Sequence, residues 1–160
     1  MVRALAPTHD VQVLAMPNPN EPTIEGWVPL VLAALGNATA ASETILVGHS
    51  VGCMAAMHAL AEDDAPQVRA LVGVAGWFTV DEPWASIRPW IDAPLDTAAV
   101  CAHTKRIEII VSDNDPFTAD DVATAARFRD ALGATVTTAA GAAHLNRSEE
   151  PIVLATIRGL

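Results

Sequence analysis

The sequence predicts a three-layer α/β fold, in which a mostly parallel β-sheet is covered by helices on both faces. Short apolar runs alternate along the chain with segments of helical periodicity, as in strands joined by crossover helices. Hydrophobic residues make up 51% of the chain and charged residues 18%, which fits strands buried on both faces. The length of 160 residues, without repeat or linker, predicts a single domain over residues 1–160.

Short apolar runs are the predicted strands, and longer periodic segments are the predicted helices. Pro29 lies inside the first long helix, where it predicts a kink or a later start. Ser148, followed by two glutamates, is the predicted N-cap of the last helix. Residues 76–94 carry several Pro and Trp without a clear period and are predicted to form a loop region. The predicted strands span residues 11–16, 44–47, 68–74, 107–111 and 134–138, and the predicted helices span residues 24–35, 51–60, 95–103, 119–132 and 148–158.

The charge of the chain argues against several classes of partner. Lys and Arg total 9 against 19 Asp and Glu, which gives a formal net charge of −10 with no basic run. Nucleic acid and anionic lipid are therefore not expected partners. No segment approaches the roughly 18 apolar residues of a membrane span. The first seven residues are too short an apolar run for a signal peptide, so a cytoplasmic location is expected.

The two cysteines, Cys53 and Cys101, form no C-x-x-C pair and no cluster with histidine. Both are expected to be small buried hydrophobic residues in a reducing compartment. No metal site is predicted.

The segment Gly48-His49-Ser50-Val51-Gly52 lies between a predicted strand and a predicted helix. A nucleophilic serine needs a sharp strand-to-helix turn that raises its hydroxyl above the sheet. Side chains two residues to either side would collide in such a turn, so both glycines are expected to be required by space. The same pattern also fits a glycine-bounded turn whose serine only caps the helix.

A serine nucleophile needs a base, and the chain offers five histidines. His144 follows the last predicted strand in a loop of small residues and leads into the last helix, which places it at the same sheet edge as Ser50. The alternative for His144 is a loop histidine in solvent. The side chain of His49 is expected to point away from that of Ser50. The remaining three, His9, His58 and His103, are expected to lie outside the site, the last two as packing or surface residues.

An acid that orients the base should follow another strand and precede the histidine. The predicted strand 107–111 runs into Ser112-Asp113-Asn114-Asp115-Pro116-Phe117. Both Asp113 and Asp115 are candidates, and a plain Asp-Asn-Asp-Pro turn is the alternative. Spacing alone does not choose between them.

Five segments resemble the small serine hydrolases of the retinoblastoma-binding protein 9 type. In that family the acid directly precedes a Pro-Phe pair, which implies Asp115 here and leaves Asp113 as a turn residue. The resemblance also implies a compact α/β-hydrolase fold without a large cap, and hydrolysis of carboxylic esters. The matching segments are Gly48–Gly52, Val111–Phe117, Gly141–Asn146, Met16–Pro19 and Arg88–Trp90.

The implied mechanism is acyl transfer without a metal or organic cofactor. Ser50 would attack a small ester, His144 would take its proton, and Asp115 would orient the imidazole. The backbone amide of Val51 would be one oxyanion donor. The alternatives are an acyltransferase, and a catalytically impaired binding or regulatory protein that keeps the triad.

Members of that family begin with a strand and a glycine-containing loop that supplies a second oxyanion amide, and neither is expected here. Their absence would leave two strands with unpaired edges, so weak activity and self-association through exposed sheet edges are expected. The loop region 76–94 contains four large aromatic side chains that could wall a substrate pocket or simply pack the loop onto the sheet. These are Trp77, Phe78, Trp84 and Trp90.

Overall fold

The computed structural model describes residues 1–160 and consists of a central sheet with helices on both faces. Two short helices are all the helical structure between the second and third strands, so no large cap covers the sheet edge. The helices are α1 (Val2–Leu5), α2 (Ile24–Gly36), α3 (Val51–Leu60), α4 (Arg88–Asp92), α5 (Thr97–Ala102), α6 (Asp121–Leu132) and α7 (Pro151–Arg158). The strands are β1 (Ile45–His49), β2 (Val68–Val74), β3 (Thr104–Ser112) and β4 (Thr135–Ala139).

The four strands lie in the order β1-β2-β3-β4, and every neighbouring pair is parallel. The register pairs Gly48 with Gly73, and Gly73 in turn with Ile109. Because all strands run the same way, their carboxyl ends meet at one edge of the sheet. The loops that follow the strands are therefore brought together at that edge.

Alternate residues of the strands supply two cores, one on each face of the sheet. Leu71 and Ile109 belong to the larger core, which contains buried residues of α2, α3, α4, α5 and α6. Val72 and Ile110 point the other way, into a smaller core with α1 and α7. The predicted three-layer arrangement is confirmed. None of the helices combines the length and the apolar composition that crossing a lipid bilayer requires.

Helix α3 lies close to the sheet because Cys53 faces two glycines. A Cβ at Gly73 would stand 2.7 Å from Cys53 Sγ, and one at Gly76 would stand 2.9 Å from the same atom. Cys53 is fully buried, and this burial raises the pKa of its thiol to about 12, as befits a packing residue. Cys101, by contrast, is exposed, so its expected burial was wrong: α5 is a short helix that buries Val100 and leaves the next side chain outside.

Two expectations about local structure were also wrong, and a third was wrong in part. Residues 11–16 form no strand, since no neighbouring strand pairs with them, and the side chain of Val13 is 72% exposed. Helix α7 begins at Pro151, which suits the first helical position, so Ser148 is not its N-cap. Of the two effects predicted for Pro29, the later start is not found, since α2 begins at Ile24 with the Thr23 hydroxyl accepting from Gly26 N.

Candidate active site

Three of the residues singled out in the sequence follow three different strands at the carboxyl edge of the sheet. Ser50 directly follows β1, Asp115 follows β3, and His144 follows β4. The register continues past the strand ends, with Ser50 N donating to Val74 O at 2.9 Å and Asp113 N to Ala139 O at 3.4 Å. Side chains that are distant in sequence are thereby held at one edge.

Ser50 occupies a strained backbone conformation between β1 and α3, with φ of 53° and ψ of −123°. Few residues other than glycine adopt a positive φ without cost, and such strain is concentrated at functional sites. Although Ser50 is the N-cap residue of α3, its side chain makes no capping hydrogen bond. The hydroxyl is therefore not used to cap the N-terminus of α3.

The two glycines that flank Ser50 have different surroundings. A Cβ at Gly48 would lie 2.5 Å from Gly52 O and 2.7 Å from both the Cα and N of Cys53, all backbone atoms that cannot move aside cheaply. A Cβ at Gly52 would meet nothing within 4 Å. The expectation that both glycines are required by space holds at Gly48 and is wrong at Gly52, where an added Cβ would enter open space.

The imidazole of His144 is paired with the carboxylate of Asp115. Its Nδ1 lies 2.8 Å from Asp115 Oδ2, and the other carboxylate oxygen accepts from Phe117 N at 3.0 Å. Asp115 is 4% exposed, so its charge has little contact with water. Because a carboxylate only accepts, Nδ1 of a neutral His144 carries the proton and Nε2 is left with a free lone pair.

Asp113 and Asn114 hold the backbone of the loop that carries His144. Asp113 Oδ1 accepts from Gly141 N at 2.7 Å, and Asn114 Oδ1 accepts from Ala143 N at 2.8 Å. The loop needs this support because Ala143 has a positive φ of 49°. In this structure Asp115 contacts the imidazole, and Asp113 contacts the loop backbone.

The hydroxyl of Ser50 has one side-chain partner, the indole of Trp77. Trp77 Nε1 donates to Ser50 Oγ over 3.5 Å, and Trp77 is 1% exposed. No hydrogen bond joins Ser50 to His144 in this structure. Catalytic hydrogen bonds are often long in free enzymes and shorten once substrate is bound.

His49 belongs to the same cluster, which the sequence interpretation missed. Its Nε2 donates to the backbone carbonyl of His144 at 2.8 Å, and the two rings pack edge to face with centroids 4.9 Å apart. Partial withdrawal from water lowers the pKa of the His49 imidazole, which favours the neutral ring. No sequence signal predicted this contact, because His49 and the loop after β4 meet only in the tertiary fold.

The four aromatic residues of the loop region have separate environments. Trp77 contacts Ser50. Trp84 is 45% exposed and packs against Phe117, with the two ring centroids 5.6 Å apart. Phe117 in turn packs against the His144 ring, with the ring centroids 4.7 Å apart. Trp84 therefore borders the site from outside.

The other two aromatic residues are part of the core. Trp90 is fully buried, and its Nε1 donates to Pro22 O at 3.0 Å. It cannot wall a substrate pocket, because no surface of its ring is left for a ligand. Phe78 packs against Phe128, with the ring centroids 4.6 Å apart, and the guanidinium carbon of Arg127 lies 5.1 Å from the centroid of the Phe78 ring. Phe78 therefore packs against residues of α6.

The start of α3 offers hydrogen-bond donors to an anion beside Ser50. Val51 is the first residue of α3, so its amide has no acceptor within the helix. The positive end of the helix dipole is directed to the same place.

No group of three or more His, Cys, Asp or Glu side chains is arranged to hold a metal ion.

Comparisons with known proteins agree with this fold. The model of one protein family, described as serine hydrolase, matches residues 3–150. The crystal structure of the ydeN gene product from B. subtilis is similar over 98% of this chain and 85% of its own, with a TM-score of 0.82 and 19% identity. No curated protein matches the chain.

Two further solved structures are similar. Est1E from Butyrivibrio proteoclasticus has a TM-score of 0.60 and 17% identity, over 87% of this chain and 69% of its own. An E-2-(acetamidomethylene)succinate hydrolase has a TM-score of 0.57 and 16% identity, over 89% of this chain and 75% of its own. At these identities the likeness concerns the fold.

Proposed function

Because this chain belongs to the serine hydrolase family, we propose that it hydrolyses small carboxylic esters through a covalent acyl-enzyme on Ser50. Within that family we propose membership of the group of the retinoblastoma-binding protein 9 type. The observation that carries the proposal is the hydrogen bond of 2.8 Å between His144 and Asp115 at the sheet edge where Ser50 stands on its strained turn. A base and an orienting acid are thus paired at the same edge of the sheet as a hydroxyl that caps no helix.

Ser50 supplies the nucleophile in this proposal. A hydroxyl can accept one hydrogen bond and donate another, so the contact with Trp77 leaves the Ser50 proton for His144. As Oγ bonds to the ester carbonyl carbon, its proton passes to His144 Nε2. His144 then returns that proton to the alcohol as it departs, and the acyl group remains bound to Ser50 as the acyl-enzyme.

Deacylation repeats the sequence with water as the nucleophile. A water molecule gives a proton to His144, attacks the acyl carbon, and Oγ leaves with the proton that His144 returns. Asp115 stabilises the charged imidazole in both halves, and its burial strengthens that interaction. The Val51 amide donates to the oxyanion, a contribution that is typically worth about 10²–10³ in rate.

The proposal is tested with a fluorophosphonate probe, which reacts quickly only with a base-activated serine. The wild-type chain should be labelled and should hydrolyse p-nitrophenyl acetate. Ser50→Ala should lose both activities but remain folded, because its methyl group still fits the turn; its melting temperature should fall slightly, since the buried Trp77 N–H loses its acceptor. Equal labelling of the two proteins would show that Ser50 is not the nucleophile.

A further inference from the structure

We infer that Trp77 is a further catalytic residue, whose indole N–H stabilises Ser50 Oγ as that oxygen leaves the acyl-enzyme. The inference rests on the proposed acyl-enzyme at Ser50. It goes beyond the triad and the Val51 amide, because it assigns a donor to the nucleophile's own oxygen and not to the carbonyl oxygen of the substrate.

The first argument comes from the three buried tryptophans, each of which must satisfy one N–H donor. Trp27 Nε1 donates to Pro17 O at 2.7 Å, and Trp90 Nε1 donates to Pro22 O at 3.0 Å. Both are short bonds to backbone carbonyls. Trp77 Nε1 instead has only the Ser50 hydroxyl, at 3.5 Å. Its donor is the one that is weakly used in the resting protein.

The second argument is that the backbone aims this indole at Ser50. Ala75, directly after β2, has a positive φ of 47°, and the next residue is Gly76. A Cβ on Gly76 would lie 2.9 Å from Cys53 Sγ and 3.2 Å from Phe128 Cζ, so this turn packs tightly against α3 and α6. Trp77 follows at once and is 1% exposed. An indole so enclosed keeps its orientation during the reaction, as a preorganised donor must.

The third argument concerns when the donor acts, because only an interaction that strengthens in the transition state accelerates a step. In the free enzyme Oγ is a hydroxyl and already accepts from Trp77, so the contact stabilises the ground state of acylation too. In the acyl-enzyme Oγ is an ester oxygen, which is a poor acceptor because its lone pair is delocalised into the carbonyl. As the C–Oγ bond breaks, Oγ gains negative charge and the N–H bond strengthens.

The chemistry of this step is complete without another reactant. Water bonds to the acyl carbon and gives its proton to His144, the C–Oγ bond breaks, and His144 returns the proton to Oγ. The indole keeps its own proton throughout. Trp77 should therefore favour deacylation more than acylation.

The test uses Trp77→Phe in the full chain, with Trp90→Phe as the matched control. Trp90 is equally buried and its N–H donates to Pro22 O and not to Ser50, so the control removes a buried indole hydrogen bond that does not involve the nucleophile. With p-nitrophenyl acetate, kcat of Trp77→Phe should fall by about 10- to 100-fold, the usual effect of one hydrogen bond to a charged atom. The value of kcat/KM, which reports acylation, should fall much less, and a burst of p-nitrophenol should precede the steady state.

Several results would overturn the inference. One is an equal fall of kcat and kcat/KM in Trp77→Phe, which a merely displaced serine would produce. Another is a loss per folded molecule no larger than in Trp90→Phe. If Trp77→Phe does not fold, replacement of Trp77 by β-(3-benzothienyl)alanine keeps the shape and removes only the N–H, with the same expected split. If Ser50→Ala retains activity, the proposed function itself fails; if only the Trp77 variants behave like wild type, this inference alone fails.

Discussion

Gly48 and Gly52 lie two residues before and two residues after Ser50, yet the structure predicts opposite results when each is changed to alanine. In Gly48→Ala the new methyl group would lie 2.5 Å from Gly52 O and 2.7 Å from Cys53 N. Those atoms belong to the first turn of α3, and relief of the overlap requires a shift of about 1 Å to reach ordinary contact. In Gly52→Ala the methyl group would meet nothing within 4 Å.

The magnitudes follow from these contacts. Overpacking against backbone costs about 1–3 kcal/mol, so Gly48→Ala should lower the melting temperature by roughly 2–12 °C in a chain of this size. A displacement of about 1 Å at the nucleophile also costs on the order of 10²-fold in rate. Gly52 lies in the first turn of a helix, where alanine is favoured over glycine by up to about 1 kcal/mol, so Gly52→Ala should melt at the wild-type temperature or a few degrees higher.

Thermal unfolding and the rate of fluorophosphonate labelling measure both effects on the same samples. Gly48→Ala should label far more slowly than its folded fraction explains, and Gly52→Ala should label at the wild-type rate. Equal loss of labelling in the two variants would refute the reasoning, since it would mean that the turn encloses Gly52 as tightly as Gly48.

Three further predictions concern other parts of the molecule. Asp115→Asn should lower kcat by about 10⁴-fold, since the amide can hold His144 in the wrong tautomer, and Asp113→Asn, which only weakens the loop, should be much milder; the reverse ranking would contradict the assignment. Burial lowers the pKa of His58, so below about pH 6.5 the unfolded chain binds more protons than the folded one. The free energy of unfolding should therefore keep its maximal contribution from His58 above about pH 6.5 and decrease as the pH drops towards the folded-state pKa. In urea titrations His58→Asn should show a smaller decrease over this range, and an equal decrease would exclude His58 as the cause. Strand β1 has a partner on one side only, and its Val47 is 40% exposed, so the chain should self-associate with rising concentration in light scattering and Val47→Lys should suppress this; a wild-type monomer at every concentration would rule the edge out.

The amino-acid sequence by itself determined the kinds of elements and the order of the chemical groups. Predicted strand 68–74 coincides with β2, and predicted strand 107–111 lies within β3, because a buried parallel strand must be apolar at consecutive positions. The position of Ser50 between β1 and α3 also followed from local pattern, since the glycine-serine turn is contained within five residues. The resemblance to a family, and not the spacing, favoured Asp115 over Asp113.

The tertiary structure decided which strands pair and which loops meet at the carboxyl edge of the sheet. Residues 11–16 have the composition of a strand but no pairing partner, and the backbone hydrogen bonds of a strand come only from its neighbours. Likewise His49 meets the carbonyl of His144, 95 residues later, and Trp77 meets Ser50, 27 residues earlier. Periodicity along a chain reports which face of an element is buried, whereas these contacts depend on sheet order and on the paths of the loops at the carboxyl edge, which bring together residues that no local pattern connects.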